Sequence, residues 1–531
     1  MKRKYPVALA VAAVSVLLGG CGGGGSGAGS AAGAPLSGGT FTMNLGTDPG
    51  TINPYKTTGG TNRQIFAFSY DTLVGRMPDG SIAPQLATSW KVSPDEVTYT
   101  LRKGVTCADG TTLTPSDVAA DFDYIKDPKT PSPWVSLTIP LGYTASADDA
   151  AGTVTIKTKT PFGLLLEGAG SLPIVCPAGL KDPGSIEHAS NGTGPYKVTS
   201  YVPGDHYTLE ARPGYAWGPK GATNSAAGSP KKVKIAFVQN ESTSANQLLS
   251  GQVNAAQITG PDRARLDATT TLKRFDVPVM VGEMNLNEAE GRVFADPQVR
   301  LAMAAALDRS QITKVGTSGL GKVADNMMVE NPVSCPGDET TGALPAYDPA
   351  SANRILDTAG YAKGGDGLRV KDGKKLTANL IYQVGAPQTV SAVELIGQQL
   401  KAVGIGTNLK GLTQAAFLEA LYTTQDFDAY YSGINLEFPF MMTAYWGGVT
   451  PDKGGRNTGS IVNEDFDTLS AKALAASGAA GCDLWKQAHQ ALLKRADVLP
   501  ISVGDRPFYT SKASLQTVGL FAVPTSLRLY Q

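Results

Sequence analysis

Histidine is almost missing from this 531-residue chain: only His188, His206 and His489 occur, far apart from one another. Its five cysteines include no Cys-x-x-Cys pair. Together these shortages argue against a His/Cys metal centre, so no metal and no cofactor is expected. Net charge is missing too, with 46 basic residues against 46 acidic ones. A chain without a basic face has no footing on phosphate backbones, which excludes nucleic acid as a partner. No Gly-x-Ser-x-Gly elbow is present, which removes one common hydrolase signature. There is no internal repeat. After Leu18 no apolar run approaches the roughly 20 residues of a spanning helix.

What is present begins at the N-terminus. Lys2-Arg3-Lys4, an apolar run Val7–Leu18 and then Gly19-Gly20-Cys21 follow the three-part order of a secretory signal. The ending Leu18-Gly19-Gly20-Cys21 resembles the bacterial lipobox. It implies cleavage before Cys21, acylation of that cysteine, and a protein held at the extracytoplasmic face of the cell membrane. Residues 1–20 are expected to be the signal peptide and 21–37, rich in Gly, Ala and Ser, the lipidated cysteine with a flexible linker. Without Lys2, Arg3 and Lys4 the balance is 43 basic against 46 acidic residues. Export leaves four other cysteines, Cys107, Cys176, Cys335 and Cys482, an even number that suggests two disulfides with three possible pairings.

The body alternates between two periodicities. Residues 40–46, 90–92 and 97–101 alternate as strands, the last two forming a hairpin around Ser93-Pro94-Asp95-Glu96. Further β-rich runs are Val154–Lys157, Tyr196–Thr199, Lys232–Val238, Val277–Leu286 and Leu380–Val384. Thr114-Pro115-Ser116-Asp117, Asp296-Pro297 and Asp348-Pro349 each open a helix, with a side-chain acceptor before a proline suited to the first turn. Val393–Val403 is amphipathic and stops at Gly404. The mixture indicates an α/β (mixed α+β) protein, and its length favours two or more lobes.

Two patterns have the residue types of chemical sites. Gly316 to Lys322 has the spacing of a phosphate-binding loop, but Val323 stands where Ser or Thr would hold magnesium and a helix precedes it. A surface loop is the expected reading. Asp121, Asp123, Asp426 and Asp428 form no acid/base couple and are expected to be solvated helix and turn residues. Nothing here supports an enzyme.

Read in order, several segments resemble family 5 of the bacterial extracellular solute-binding proteins, the oligopeptide, dipeptide and nickel-binding group of ABC importers. They run from Tyr70-Asp71-Thr72-Leu73-Val74 through Pro78-Asp79-Gly80 and Ile82-Ala83-Pro84-Gln85-Leu86 to Trp90. They continue with Arg102-Lys103-Gly104-Val105, Asp109-Gly110 to Val118, and Gly192-Thr193-Gly194-Pro195-Tyr196. Val299-Arg300, Leu307-Asp308-Arg309, Tyr347-Asp348-Pro349, Leu400 to Ile405 and Leu499-Pro500-Ile501 complete the set. Read physically, Gly80, Gly104, Gly110 and Gly194 are expected at positive φ, Trp90 in the core of its lobe, and Arg102 beside a carboxylate.

The resemblance implies a two-lobed periplasmic-binding-protein-like clamp. Residues 38–53, 190–277 and 500–531 would form lobe I, residues 54–189 a subdomain on it, and residues 278–499 lobe II. On that layout Cys107 would pair with Cys176 and Cys335 with Cys482, leaving the hinge free. In peptide-binding relatives the ligand backbone pairs with cleft strands and an aspartate of the second lobe takes the amine. In the matching stretch Asn435 stands where that aspartate is expected, and an amide brings no opposite charge. Either Glu437 takes over that role or the ligand presents no free amine. Tyr55, Gly59 and Gly60 match a cleft-lining segment, Met280 and Asn285 lie on the strand entering lobe II, and Tyr431 and Gly433 complete the ligand-binding set.

The implied function is a lipid-anchored monomer that binds oligopeptides between its lobes and passes them to ABC permease subunits. So few histidines argue against a nickel or haem carrier. A sugar or other small polar solute, or from another class a cell-surface hydrolase, are the alternatives.

Overall fold

The computed structural model describes residues 33–36, 38–135, 137–476 and 481–531. Cys21, the expected signal peptide 1–20 and most of the Gly-rich linker lie outside the described residues. The last linker residues are not free, however. Leu36 N donates to Leu529 O (2.9 Å) and Gln531 N to Ala34 O (3.0 Å). The two ends of the chain therefore pair from Ala34 onward, which shortens the linker expected to run through residue 37.

Thr40–Leu45 lies inside a seven-stranded sheet, parallel to Lys232–Phe237 on one side and Ala255–Gln257 on the other. Its alternation is the expected one: Phe41 and Met43 are fully buried. Tyr196–Val202, His206–Ala211, Leu272–Phe275 and Phe508–Ser511 fill the remaining positions. A four-stranded antiparallel sheet uses Ala87–Ser93, Glu96–Leu101, Thr144–Asp148 and Thr153–Lys157. The helix Pro115–Lys126 packs on it, opened by a reciprocal cap between Thr114 and Asp117.

The six-stranded sheet runs in the order Lys322–Val323, Val498–Asp505, Pro278–Leu286, Ala429–Tyr431, Thr377–Gln383, Gly406–Leu412. Its last three strands are parallel. Helices Pro297–Ala306, capped by Asp296, and Pro387–Ala402 cover one face. The latter starts before Val393, with Pro387 in its first turn.

The chain passes between the two large sheets twice, at residues 275–278 and 505–508. The second passage falls after Asp505, not at Pro500, because Val498–Asp505 stays buried through Gly504 and pairs as far as Pro278↔Asp505. Cys107 is bonded to Cys176 and Cys335 to Cys482, with Cα separations of 6.1 and 5.3 Å. Neither bridge spans the two passages, so neither cross-links the hinge.

Four local expectations change. Trp90 is only partly buried against the core, since it sits on a strand whose neighbours face solvent. Arg102 donates to the Gln85 carbonyl (3.2 Å) instead of a carboxylate. Gly80, Gly104 and Gly110 have positive φ, but Gly194 does not; there a Cβ would come within 2.5 Å of the Ser69 carbonyl carbon. Asp121 and Asp428 are buried, Asp121 against the Tyr55 hydroxyl (2.6 Å) and Asp428 under the Asn379 amide (2.7 Å).

Candidate interlobe binding site

The parallel strands Thr377–Gln383, Gly406–Leu412 and Ala429–Tyr431 end on one side of their sheet. Ligands of open α/β sheets bind in the crevice beyond such carboxyl ends. A cavity of about 370 Å³ occupies that crevice. Its far wall is Thr259 and Arg263 of the seven-stranded half, and its floor is the second passage, Gly504-Asp505-Arg506. Residues from both halves of the clamp therefore face one space.

Three expected site residues meet there: Met280, Tyr431 and Gly433. Gly433 is glycine for a steric reason, because a Cβ would collide with the Met280 carbonyl. Burial raises the Tyr431 hydroxyl to a pKa of about 12, so it stays a neutral donor and acceptor.

The other expected residues have different roles. Asn435 spends both ends of its amide on one neighbour: Oδ1 accepts from Met280 N (2.8 Å) and Nδ2 donates to Met280 O (3.1 Å). It staples the 432–436 stretch to the Pro278–Leu286 strand and does not present itself to an ammonium. Glu437 pairs with Arg63 (3.1 Å) and Arg76 (3.5 Å), so its charge is already matched. Asn285 is buried; it accepts from Trp446 Nε1 (3.0 Å) and reaches Glu283 with its own amide (3.4 Å). Tyr55 is buried behind Asp121 and the Pro173 carbonyl. Gly59 precedes the helix Gly60–Phe66, where a Cβ would press on Asn62, while Gly60 borders open space. Tyr55, Gly59, Gly60, Asn285, Asn435 and Glu437 do not line the cavity.

The structure adds walls that local sequence did not point to. Gly316, Thr317, Ser318 and Leu320, from the loop that mimics a phosphate-binding motif, line the cavity. So do the residues from Gln383 to Thr389 that lead into the Pro387–Ala402 helix, except Pro387 itself. The Gly385/Pro387 pair was a legible start signal for that helix, but nothing local aimed it at a cleft.

Along one side of the site runs an extended stretch with open backbone. Ser432 N donates to Glu283 O (3.0 Å), and Ile434 N reaches Glu283 Oε2 (3.3 Å). Among the described residues, the main-chain groups of Gly433 and Leu436 and the Asn435 N–H have no hydrogen-bond partner. Beneath them Glu283 is fully buried with Oε1 unpartnered, and desolvation raises its pKa to about 8. At pH 7 it is therefore mostly a neutral acid.

A charged contact closes the far end. Arg63 and Arg76 come from the 54–189 segment, Glu437 and Glu330 from the segment after the first passage. Arg76 also donates to the Pro332 carbonyl (2.6 Å) and to Ser334 (3.1 Å), whose hydroxyl holds the Glu437 carbonyl (2.9 Å). Burial first, then repulsion from Glu437, raises Glu330 to about 7. Phe162 packs edge-on against Phe440 nearby, with centroids 5.0 Å apart. No group of three or more His, Cys, Asp or Glu residues that could hold a metal ion occurs among the described residues.

The family model described as "Bacterial extracellular solute-binding proteins, family 5 Middle" matches residues 81–456. Protein XP55 of Streptomyces lividans is 30% identical over 420 residues, 77% of this chain and 74% of that protein. The glutathione-binding protein GsiB of Shigella dysenteriae serotype 1 is 27% identical over 329 residues, 60% of this chain and 61% of its own length. A substrate-binding protein from Microbacterium hydrocarbonoxydans, solved with 4-hydroxybenzoate hydrazide, superposes with a TM-score of 0.75 at 26% identity, covering 92% of this chain and 99% of that one. The oligopeptide-binding protein AppA of Bacillus subtilis, solved with a nonapeptide, gives a TM-score of 0.76 at 21% identity over 94% of this chain and 100% of that one.

Proposed function

The chain belongs to family 5 of the bacterial extracellular solute-binding proteins, binding components of ABC importers and not enzymes, and on that premise we propose that it carries peptides to a permease while tethered to the membrane through Cys21. The observation that carries the peptide reading is the unpaired main chain that starts at the cavity with Gly433 and runs on beyond it through Asn435 and Leu436. An extended peptide can add itself to such an edge through backbone hydrogen bonds, leaving side-chain selection to the surrounding walls. Glutathione and a nonapeptide, the ligands named for GsiB and AppA, are both peptidic, which supports the same class.

Binding residues are drawn from both halves, with Met280, Tyr431 and Gly433 on one side and Thr259 and Arg263 on the other. A ligand touching both walls favours the closed arrangement over the open one, and the two passages at 275–278 and 505–508 act as the hinge. The division into lobe I, its subdomain and lobe II is part of this reading, with lobe II extended through Asp505. The lipid and its short linker keep the clamp within reach of its permease.

The test is native mass spectrometry of the purified mature protein, followed by release and sequencing of whatever it carries. Recovered peptides are the expected result. An oligosaccharide or a metal chelate as the carried ligand would overturn the peptide reading and leave the family assignment standing.

A further inference from the structure

We infer that the interlobe cavity holds a carboxylate of the ligand, gripped between Arg263 of one half and the N-terminus of the Pro387–Ala402 helix of the other. The inference rests on the solute-binding reading above and specifies the chemistry of its site.

Arg263 is only 5% exposed, lines the cavity, and its Nε has no partner. A guanidinium remains charged at any physiological pH, and a buried charge is normally paired. The acidic residue of the cavity floor, Asp505, lies 3.8 Å from Arg274 and makes no ion pair with Arg263, although the Arg263 charge also favours its ionised form. Arg506 adds a second positive charge to the lining. Against the single carboxylate of Asp505, the cavity thus has one positive charge in excess.

Across the cavity the helix Pro387–Ala402 begins without any anion of its own. Ala386 occupies the capping position and offers no side-chain acceptor, and no Asp or Glu lies in the first turn. By contrast, the helices beginning at Pro115, Pro297 and Pro349 are each capped by a Thr or Asp side chain. Gly385, Ala386, Gln388 and Thr389 form the cavity wall; Thr389 N donates to Ala386 O (3.0 Å), which leaves the Gln388 amide of the first turn without a partner among the described residues, and the positive end of the helix lies at the space that Arg263 faces. A helix start and a buried arginine that has no ion-pair partner among the described residues and an unpartnered Nε, meeting across the cavity, make a site for one negative group.

The two partners belong to different halves of the clamp. An anion held by both joins them, so its binding free energy acts directly on closure. At about 370 Å³ the cavity suits one terminal residue or one acidic side chain, not the length of a peptide.

The test compares a library of tri- to pentapeptides bearing free C-terminal carboxylates with the same library as C-terminal amides, by native mass spectrometry under competition. Retention of the free acids alone assigns the carboxylate to the peptide terminus. Retention of those amides that contain Asp or Glu assigns it to a side chain. Either result supports the inference if Arg263→Gln weakens the retained peptides about 10- to 100-fold, the usual loss for a charge-assisted contact. Gln388→Glu provides an independent arm: it adds an acid where a helix start favours one, so the melting temperature should hold or rise while the same peptides are lost. Equal retention of acids and of amides lacking Asp and Glu would overturn the carboxylate site and leave the peptide reading intact. If neither library binds, the peptide reading fails, and succinate decides the site: a melting shift in wild type that vanishes in Arg263→Gln upholds it, and no shift in wild type overturns it.

Discussion

Replacing Glu283 by glutamine tests the electrostatics beneath the open edge. Glu283 is fully buried on the Pro278–Leu286 strand, and its carboxyl titrates near 8 against an ordinary 4.5. The cause is desolvation; two weak contacts, from Asn285 (3.4 Å) and the Ile434 amide (3.3 Å), offset it only in part. For an acid whose folded pKa is raised, stability is full below the unfolded pKa and is lost as pH rises through the folded one. An unfolded glutamate has given up its proton by pH 5.5, whereas the folded one keeps it until about pH 8. The linkage penalty is therefore about 1 kcal/mol at pH 5.5 and between about 4 and 5 kcal/mol at pH 8.5. Glutamine matches the neutral acid in shape and cannot ionise. Urea unfolding followed by tryptophan fluorescence at several pH values should show Glu283→Gln gaining about 3 kcal/mol on the wild type between pH 5.5 and 8.5. Trp446 is a suitable reporter, because its indole N–H donates to Asn285 beside the site. Parallel stability curves for the two proteins across that range would refute the assignment of a neutral, desolvated acid.

Glu437→Gln removes the charge that holds Arg63 and Arg76 across the interface. It should weaken that contact by about 1–2 kcal/mol, read as a larger radius of gyration of the ligand-free protein in X-ray scattering. Changing Cys335 and Cys482 to serine frees the loop that presents Pro332 and Ser334 to Arg76. A stability loss of about 2–4 kcal/mol is expected by calorimetry, matched by reductant treatment of a Cys107→Ser/Cys176→Ser protein, in which only this bridge remains. Gly433→Ala drives a methyl into the Met280 carbonyl. The 432–436 stretch must then shift, and peptide affinity by calorimetric titration should fall at least tenfold while Gly60→Ala, which borders open space, leaves it unchanged.

Much of the fold was legible because it is written locally. The caps at Thr114, Asp296 and Asp348 each lie within three residues of the amide they serve. Strand alternation at Phe41 and Met43 is equally local. The candidate site was legible only in part. Gly433 and Tyr431 line the cavity, yet the role of Asn435 could not be read, because both its partners sit on Met280, 155 residues earlier. Asp121 looked like a solvated helix residue and proved to be the buried partner of Tyr55. Nothing in the spacing around Arg263 tells that its guanidinium faces a helix start more than a hundred residues later.

The sequence by itself determined what short-range physics decides: two kinds of periodicity, proline-opened helices, and motifs sufficient to identify the family. Tertiary structure decided which charges are matched and which are not. Glu437 finds Arg63 across 374 residues of chain, while Arg263 Nε finds no hydrogen-bond partner among the described residues. Charge and hydrogen-bond partners of this kind are chosen by how the two sheets meet across the double passage. No window of residues contains that information, since the free energy of a buried charge depends on everything packed around it.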